Sequence, residues 1–187
     1  MTTRITNEME EAVRAELAEE KARTDRGGVC WCELCEADII ALTLTSLPPQ
    51  YCTSRCRGTA DDGRLHEQVR HALRSSVERV GRNPKHLSSD RERKEFSPRL
   101  INFNFEEGVD SVSDIMDSAF CTCEHCCADT LAMALNRYPS KYGVELEGSL
   151  KFPARERASI RRELGLIMNH AAEVVAERPR HTPQGNL

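Results

Sequence analysis

Apolar residues recur every three or four positions in two stretches of this chain, and each stretch leads into a proline and a histidine. The members are Leu65, Val69, Leu73, Val77 and Val80 in the first stretch, and Ile160, Leu164, Met168, Ala172 and Val175 in the second. This spacing is typical of one helix face and predicts helices over about 64–80 and 155–176. Faces as apolar as these must pack against other elements.

Weaker amphipathic segments predict two further helices in each half. The first helices cover about 6–22 and 105–118, and the second helices about 36–46 and 127–137. Proline cannot continue a helix, so Pro48 and Pro139 mark where the second helices end. The segment 143–152 could form a short hairpin around Gly148 and Ser149. The predicted fold class is all-α.

The two halves are copies of one module. Placing Cys30 on Cys121 aligns residues 30–51 with 121–142 without a gap, and 10 of the 22 positions are identical. The identical pairs are Cys30/Cys121, Cys32/Cys123, Glu33/Glu124, Cys35/Cys126, Ala37/Ala128, Asp38/Asp129, Ala41/Ala132, Leu44/Leu135, Pro48/Pro139 and Tyr51/Tyr142. Upstream, MEEAV at 9–13 aligns with FEEGV at 105–109. Downstream, the copies close alike, with NPKH at 83–86 and RPRH at 178–181.

The repeat defines the domain organisation. We place the first module at residues 1–88, a polar linker at 89–99 and the second module, with a short C-terminal tail, at 100–187. Each module is predicted to contain three to four helices. Two related units in one chain can pack on each other as a pseudo-twofold pair, an internal version of a symmetric dimer.

Composition restricts the function classes. Hydrophobic residues make up 39% and charged residues 30% of the chain, as in a globular protein, and a net charge of −4 gives no general footprint for nucleic-acid binding. No segment approaches the ~20 apolar residues of a membrane span. The start, MTTRITNEMEEAV, lacks the basic and apolar regions of a signal peptide, so we expect a cytoplasmic protein. Aromatic residues make up only 5%, which predicts thin cores that gain from a metal or a partner.

The candidate chemistry lies in a cysteine pattern, C-x-C-x-x-C, that occurs in both copies. Its members are Cys30, Cys32 and Cys35 in the first module and Cys121, Cys123 and Cys126 in the second. A reducing compartment keeps thiols free, and three thiolates within six residues suit the tetrahedral sulfur and nitrogen coordination of Zn²⁺. The pattern therefore predicts two small zinc-binding modules, each with one structural Zn²⁺.

Three cysteines leave a fourth coordination position open. His86 and His181 recur at the same place in the two copies, and either would let the metal fasten the end of the third helix to the start of the second. The competing ligands are Cys52 or Cys56 in the first copy and Cys127 in the second. A histidine would close the site and make the metal structural, whereas an open position would admit a catalytic water.

The knuckle and the residues after it resemble the late competence development protein ComFB family, whose pattern is close to C-x-C-x-x-C-x-x-D-x-x-A-L-x-L-N-x-L-P-P-x-Y. The matching positions beyond the knuckle are Ala41, Leu42, Leu44, Leu47, Pro48, Pro49 and Tyr51, and Ala132, Leu135, Asn136, Pro139 and Tyr142. The chain departs from the pattern at Thr45, where the family has Asn, and at Ser140, where it has the second proline. The resemblance implies a small helical zinc module that dimerises and that binds a cyclic dinucleotide, c-di-AMP or c-di-GMP.

If a cyclic dinucleotide binds, Tyr51 and Tyr142 could stack on its bases. The residues near enough in sequence to meet its phosphates or edges are Arg55, Arg57, Asn136, Arg137 and Lys141. The alternative is that the tyrosines pack the loop onto the core and the cations are surface residues.

These observations predict a non-enzymatic, regulatory, ligand-sensing protein. The alternative is a zinc-stabilised adaptor that binds a protein partner and no small molecule. A thiol-based redox device has support only from the adjacent Cys126 and Cys127 and from Cys52 and Cys56. No nucleophile–base motif or phosphate loop is present. Asp38 and Asp129 fall in the first turn of a helix, where the helix dipole alone favours an acid.

Overall fold

The structure is a computed structural model that describes residues 4–23, 29–53, 62–86, 97–116, 121–146 and 152–179. In the first half it contains β1 (Ile5–Asn7), α1 (Glu8–Arg23), α2 (Glu33–Ser46), β2 (Tyr51–Thr53) and α3 (Asp62–Arg82). In the second half it contains β3 (Pro98–Asn102), α4 (Phe103–Met116), α5 (Glu124–Leu135), β4 (Tyr142–Leu146) and α6 (Ala154–Glu177). The fold is mostly helical, and all six predicted helices are present.

The all-α prediction is confirmed in part: the fold is mostly helical, but each half also contains a small antiparallel sheet. In one sheet Asn7 pairs with Tyr51, and in the other Asn102 pairs with Tyr142. The sequence prediction placed a strand near 143–152 but gave it the wrong partner. That strand, β4, pairs with β3 far upstream, and the turn predicted around Gly148 and Ser149 lies outside the described residues.

The two sheets correct the alignment of the first helices by one residue. Glu8 N donates to Gln50 O at 2.9 Å, and Phe103 N makes the equivalent bond to Lys141 O at 3.0 Å. Glu8 is therefore equivalent to Phe103, and Met9 to Asn104 rather than to Phe105. The two glutamates shared by MEEAV and FEEGV suggest the shifted alignment. The strand pairing instead fixes which residues of the two copies are equivalent.

Both predicted apolar stripes are buried. On α3, Val69 and Leu73 are fully covered where the helix packs against α1 and α2. On α6, Leu164 and Met168 are fully covered where the helix packs against α4 and α5. Each third helix therefore closes a three-helix unit, as its periodicity predicts.

The hydrophobic cores of the two modules exchange residues. Tyr142 and Val144 of β4 belong to the core built mainly by α1, α2 and α3. Tyr51 of β2 belongs to the core built by α4, α5 and α6. The repeat is therefore not two separate beads, because each module completes the core of the other with a strand.

Each module also contains a buried carboxylate between two arginines. Glu16 of α1 accepts hydrogen bonds from Arg23 at 2.7 Å and from Arg70 of α3 at 2.9 Å. Glu107 of α4 is bonded by Arg161 at 2.8 Å and Arg157 at 3.3 Å, both on α6. The bonds from Arg70, Arg157 and Arg161 tie the first helix of each module to the third, while Arg23 lies on α1 itself.

Candidate metal centres

The first cysteine knuckle forms a compact group with a histidine from the end of the same module. One ligand atom from each of Cys30, Cys32, Cys35 and His86 lies within 4.8 Å of all the others. Cys32 is the N-cap of α2 in an extended conformation (φ −73°, ψ 160°), and Cys35 lies in the first turn, where Glu36 N donates to Cys32 O at 3.0 Å. This turn directs the sulfur atoms toward one point.

His86 reaches the knuckle from the residues that follow α3. Its Nε2 atom lies 3.1 Å from the Sγ atom of Cys35, and both side chains are buried. The preceding residue, Lys85, donates to Asp38 Oδ1 at 2.6 Å, and Asp38 is only 4% exposed. Asp38 is the sixth residue of α2, beyond the first turn predicted for it, and its carboxylate instead holds the segment that carries His86 against α2.

The second knuckle repeats this arrangement at the start of α5. Cys121, Cys123 and Cys126 also have sulfur atoms within 4.8 Å of one another. Cys123 is the N-cap of α5, and its Sγ atom accepts a hydrogen bond from Cys126 N at 3.4 Å. Cys121 is exposed and Cys126 is buried. The proposed fourth ligand, His181, lies outside the described residues.

Two of the competing cysteines lie apart from these groups. Cys52 is on β2, where its thiol is 3.4 Å from the Thr6 hydroxyl and 3.4 Å from Glu8 Oε1. Cys127 is buried, and its thiol donates to Thr122 O at 3.7 Å. Neither belongs to the described metal-ligating groups. The third competitor, Cys56, is outside the described residues.

The electrostatics of the knuckles suit a cation. Burial, and then the neighbouring thiols, raise the pKa of Cys35 and of Cys126 well above the ordinary value. Burial also acts to raise the pKa of Cys123, but hydrogen bonds from the Cys126 amide and neighbouring groups outweigh it, so this pKa is lowered. Three thiolates this close repel one another unless a positive ion lies between them. The two groups could therefore hold metal ions.

The tyrosines proposed to stack on bases lie at the junction of the two modules. Tyr51 is 7% exposed and Tyr142 is 8% exposed. Asn102 Nδ2 donates to both hydroxyls, 2.8 Å from that of Tyr142, and Asn7 Nδ2 donates to the Tyr142 hydroxyl at 2.9 Å. The Tyr142 hydroxyl itself donates to Glu10 Oε1 at 2.7 Å. Burial raises the pKa of both tyrosines.

The sequence did not reveal the polar partners of this tyrosine cluster. Asn7 and Asn102 each occupy the last position of a strand that is only three or five residues long. Strands this short carry no useful alternation of apolar and polar residues. The one available signal was the placement of an Asn before the first helix in both copies, and the shifted alignment concealed it.

The structure describes three of the other candidate ligand-binding residues. Asn136 is the C-cap of α5 and bonds the main chain of Tyr51. Arg137 is exposed next to it. Lys141 donates to Glu156 at 2.6 Å and lies over the ring of Phe152. Arg55 and Arg57 are outside the described residues.

A groove of about 1020 Å³ runs beside the tyrosine cluster. Its charged lining residues are Arg4, Arg14, Glu8, Glu10 and Glu11. Tyr51 and the half-buried Phe105 also line the groove, and their rings stack with centroids 6.5 Å apart. The groove therefore combines aromatic surface with charges of both signs. None of the described helices combines the length and apolar character needed to cross a membrane.

Comparison with known proteins identifies the repeated unit. No curated protein and no solved structure matches the chain. The model of the family described as Late competence development protein ComFB matches residues 6–84 and again residues 104–179. These two segments contain both knuckles and together span most of the sequence. The chain therefore belongs to the late competence development protein ComFB family and carries the family's module twice.

Proposed function

We propose that this protein is a non-enzymatic regulator built on two structural Zn²⁺ sites. The observation that carries the proposal is the convergence of three sulfur atoms and one imidazole nitrogen within 4.8 Å in the first module. This donor set matches the tetrahedral sites that Zn²⁺ occupies in structural roles. We assign the fourth position of the second site to His181 because its place in the repeat equals that of His86.

The role of the metal follows from the elements that its ligands join. In the first module Cys35 belongs to α2, while His86 follows α3. A metal bound there fastens the end of one helix to the start of another, and it supplies positive charge that stabilises thiolates in a buried position. With four protein ligands the site has no position for a substrate or a catalytic water, which supports a structural role.

The contacts between the modules support an internal pseudo-dimer. Tyr51 N donates to Asn136 Oδ1 at 2.6 Å, and at the equivalent position Tyr142 N donates to Thr45 Oγ1 at 3.1 Å. The two bonds are reciprocal, because each runs from the second strand of one module to the second helix of the other. We propose that the tandem chain thereby forms, within one molecule, the pseudo-twofold pair that single modules form as dimers.

We further propose that the junction between the modules binds the regulatory signal and that a cyclic dinucleotide is the first candidate. Family membership suggests a regulatory protein, and the groove beside Tyr51 offers aromatic surface together with Arg4 and Arg14 for phosphates. Glu8, Glu10 and Glu11 line the same groove and oppose an anionic ligand. Because the groove contains both arginines and glutamates, binding of a cyclic dinucleotide must be measured directly.

Metal analysis of the purified protein tests the zinc sites. We expect two zinc ions per chain, one after Cys32→Ser or Cys123→Ser, and weaker retention after His86→Ala or His181→Ala. Cys52→Ser is the matched control and should keep both ions, because this thiol is paired with Thr6 instead. A protein that folds and contains no zinc would exclude the proposal.

Calorimetry tests the ligand. Saturable heat with c-di-AMP or c-di-GMP, reduced by Arg14→Gln on the wall of the groove, would support sensing at the junction. Heat equal to buffer dilution for both nucleotides would exclude a cyclic dinucleotide and leave the zinc sites unaffected.

One observation favours the alternative of a protein-binding adaptor. Leu166 on α6 is 69% exposed, the one large hydrophobic residue so exposed among the residues that the structure describes. A single exposed leucine is common on protein surfaces, so the adaptor remains the second candidate. Cross-linking in cell extract should capture a defined partner with the wild-type protein and lose it with Leu166→Lys if the adaptor function is correct.

A further inference from the structure

Helix α5 contributes to the second cysteine knuckle and also contacts strand β2 of the first module. At its start it carries Cys126 of the second cysteine knuckle. Along the same helix it holds strand β2 of the first module, because the Thr53 hydroxyl donates to Asp129 Oδ1 at 3.1 Å and Asn136 bonds both main-chain groups of Tyr51. Asp129 is only three residues after Cys126, less than one helical turn.

The first turn of α5 depends on the knuckle. Cys123 caps the helix by accepting from Cys126 N, and Cys127 N donates to Cys123 O at 3.1 Å. Without a cation, no positive charge offsets the repulsion between the three sulfur atoms. The first turn of α5 begins at this knuckle, so loss of the cation destabilises that turn. Asp129 lies in the second turn of α5, directly after these capping contacts, so its position is coupled to the cap through the helix.

From these contacts we propose that the metal ion of the second module stabilises the attachment of β2 of the first module, and that this attachment in turn raises the affinity of the second site for the ion. The inference rests on the proposed zinc sites. Thermodynamic linkage requires this effect on affinity to be reciprocal. Any contact that is stronger in the metal-bound form must also favour binding of the metal.

The equivalent aspartates of the two modules differ in one described contact. In the first module the aspartate equivalent to Asp129 is Asp38, and its carboxylate holds Lys85 of its own module. In the second module the carboxylate holds Thr53 of the other module. The aspartate beside the first knuckle therefore contacts its own module, and the aspartate beside the second knuckle contacts a strand of the other module. This difference arises although both aspartates belong to the identical part of the repeat.

The test compares two threonines of the same small sheet. Thr53→Val removes the bond to Asp129 while preserving side-chain shape. Thr6→Val is the matched control, because the Thr6 hydroxyl lies beside Cys52 within the sheet. Zinc affinity is measured in the full chain by equilibrium competition with a coloured chelator, and the Cys32→Ser and Cys123→Ser variants assign the two affinities to the two sites.

We expect Thr53→Val to weaken zinc affinity at the second site about fivefold, the low end of coupling between sites, and to leave the first site unchanged. Thr6→Val should change neither affinity. Equal affinities at the second site in Thr53→Val and wild-type protein would overturn the inference while leaving the zinc sites intact.

Hydrogen exchange gives a second readout that does not depend on the Thr53→Val substitution. Removing the second metal with Cys123→Ser should raise exchange at the Tyr51 amide, which is bonded to Asn136, more than at the Tyr142 amide. Cys32→Ser should not produce the same exposure of Tyr51. If exchange rises only within the module that loses its metal, the crosswise coupling is wrong.

Discussion

Asn136 of the second module forms two hydrogen bonds with the main chain of Tyr51 in the first. Tyr51 N donates to Asn136 Oδ1 at 2.6 Å, and Asn136 Nδ2 donates to Tyr51 O at 2.9 Å. At the equivalent position the first module has Thr45, whose hydroxyl accepts only from Tyr142 N at 3.1 Å. The carboxamide can both donate to and accept from a strand in this geometry, so the substitution of Asn by Thr removes one bond between the modules.

Restoring the carboxamide should strengthen the junction. We expect Thr45→Asn to raise the free energy of unfolding by about 0.5–1.5 kcal/mol, the usual net value of one added hydrogen bond. Urea titration with zinc held in excess measures the change. The reverse substitution, Asn136→Thr, is the matched control and should lower stability by a similar amount. Equal stability of all three proteins would show that these side chains do not hold the junction.

The two tyrosine hydroxyls differ in how many partners they satisfy. The Tyr142 hydroxyl accepts from Asn7 and Asn102 and donates to Glu10. The Tyr51 hydroxyl accepts from Asn102, which also reaches Tyr142. Tyr142→Phe leaves a buried amide without its acceptor and should cost about 1–3 kcal/mol.

Tyr51→Phe is the matched control and should cost less, because Asn102 keeps the Tyr142 hydroxyl as an acceptor. Differential scanning calorimetry of the two variants measures the difference. A larger loss for Tyr51→Phe would contradict this account of the cluster.

The helices could be predicted from the sequence because their apolar spacing is long and repeated. Leu73 and Met168 occupy equivalent places in two independent copies, and both are fully buried. The knuckles could be identified for the same reason, since three cysteines recur with unchanged spacing. The apolar spacing and the cysteine spacing each occur twice in the chain, so each copy supports the interpretation of the other.

The sheets and the exchange between modules could not be predicted, because their causes are local and few. β1 has three residues, and its partner β2 lies more than forty residues away in the sequence. Nothing in the sequence around Tyr51 or Tyr142 shows that each side chain packs in the core of the other module. The bond between Thr53 and Asp129 likewise depends on which helix the strand meets, and a linear pattern does not contain that information.

The ion pair next to His86 should affect the affinity of the first metal site. Lys85 donates to Asp38 at 2.6 Å and thereby holds the segment that ends in His86. Lys85→Met keeps the length of the side chain and removes its charge, and we expect the affinity of the first site to fall about tenfold, as for other residues that orient metal ligands. Competition with a chelator of known affinity measures it.

Lys141→Met is a suitable control, because this lysine binds Glu156 in the other module. It should leave both zinc affinities unchanged. If Lys85→Met and Lys141→Met have the same effect, the pair with Asp38 does not position His86.

A glycine allows α4 to lie close to its neighbours. A Cβ atom at Gly108 would be 2.5 Å from Leu131 Cδ1 and 3.2 Å from Leu164 Cδ2, and both leucines are fully buried. We expect Gly108→Ala to lower the free energy of unfolding by about 1–3 kcal/mol, since overpacking exceeds the gain in helix propensity. Gly165→Ala on α6 meets no atom within 4 Å and should instead stabilise the protein by about 1 kcal/mol. Thermal unfolding that shifts the same way in both would contradict the packing argument.

The carboxylate of Glu16 should contribute to stability in a pH-dependent way. Burial acts to raise its pKa, but hydrogen bonds from Arg70 and Arg23 outweigh burial and hold the pKa below the ordinary value of 4.5. The folded protein therefore favours the ionised form more than the unfolded chain does. The resulting stabilisation is complete above the unfolded pKa and is lost as the pH falls through the folded pKa.

Glu16→Gln tests this directly. At neutral pH the variant should unfold at a lower urea concentration than wild type, and the difference between the two should shrink below pH 4.5. Loss of the proposed zinc ions in acid would affect both proteins, so the difference between them, rather than either midpoint alone, reports the carboxylate. Glu19→Gln on the exposed side of α1 is the control and should leave a smaller gap, because its bond to Arg23 is 3.4 Å long and exposed to solvent. A gap for Glu16→Gln that stays constant or widens in acid would show that the two arginines do not stabilise the ionised form.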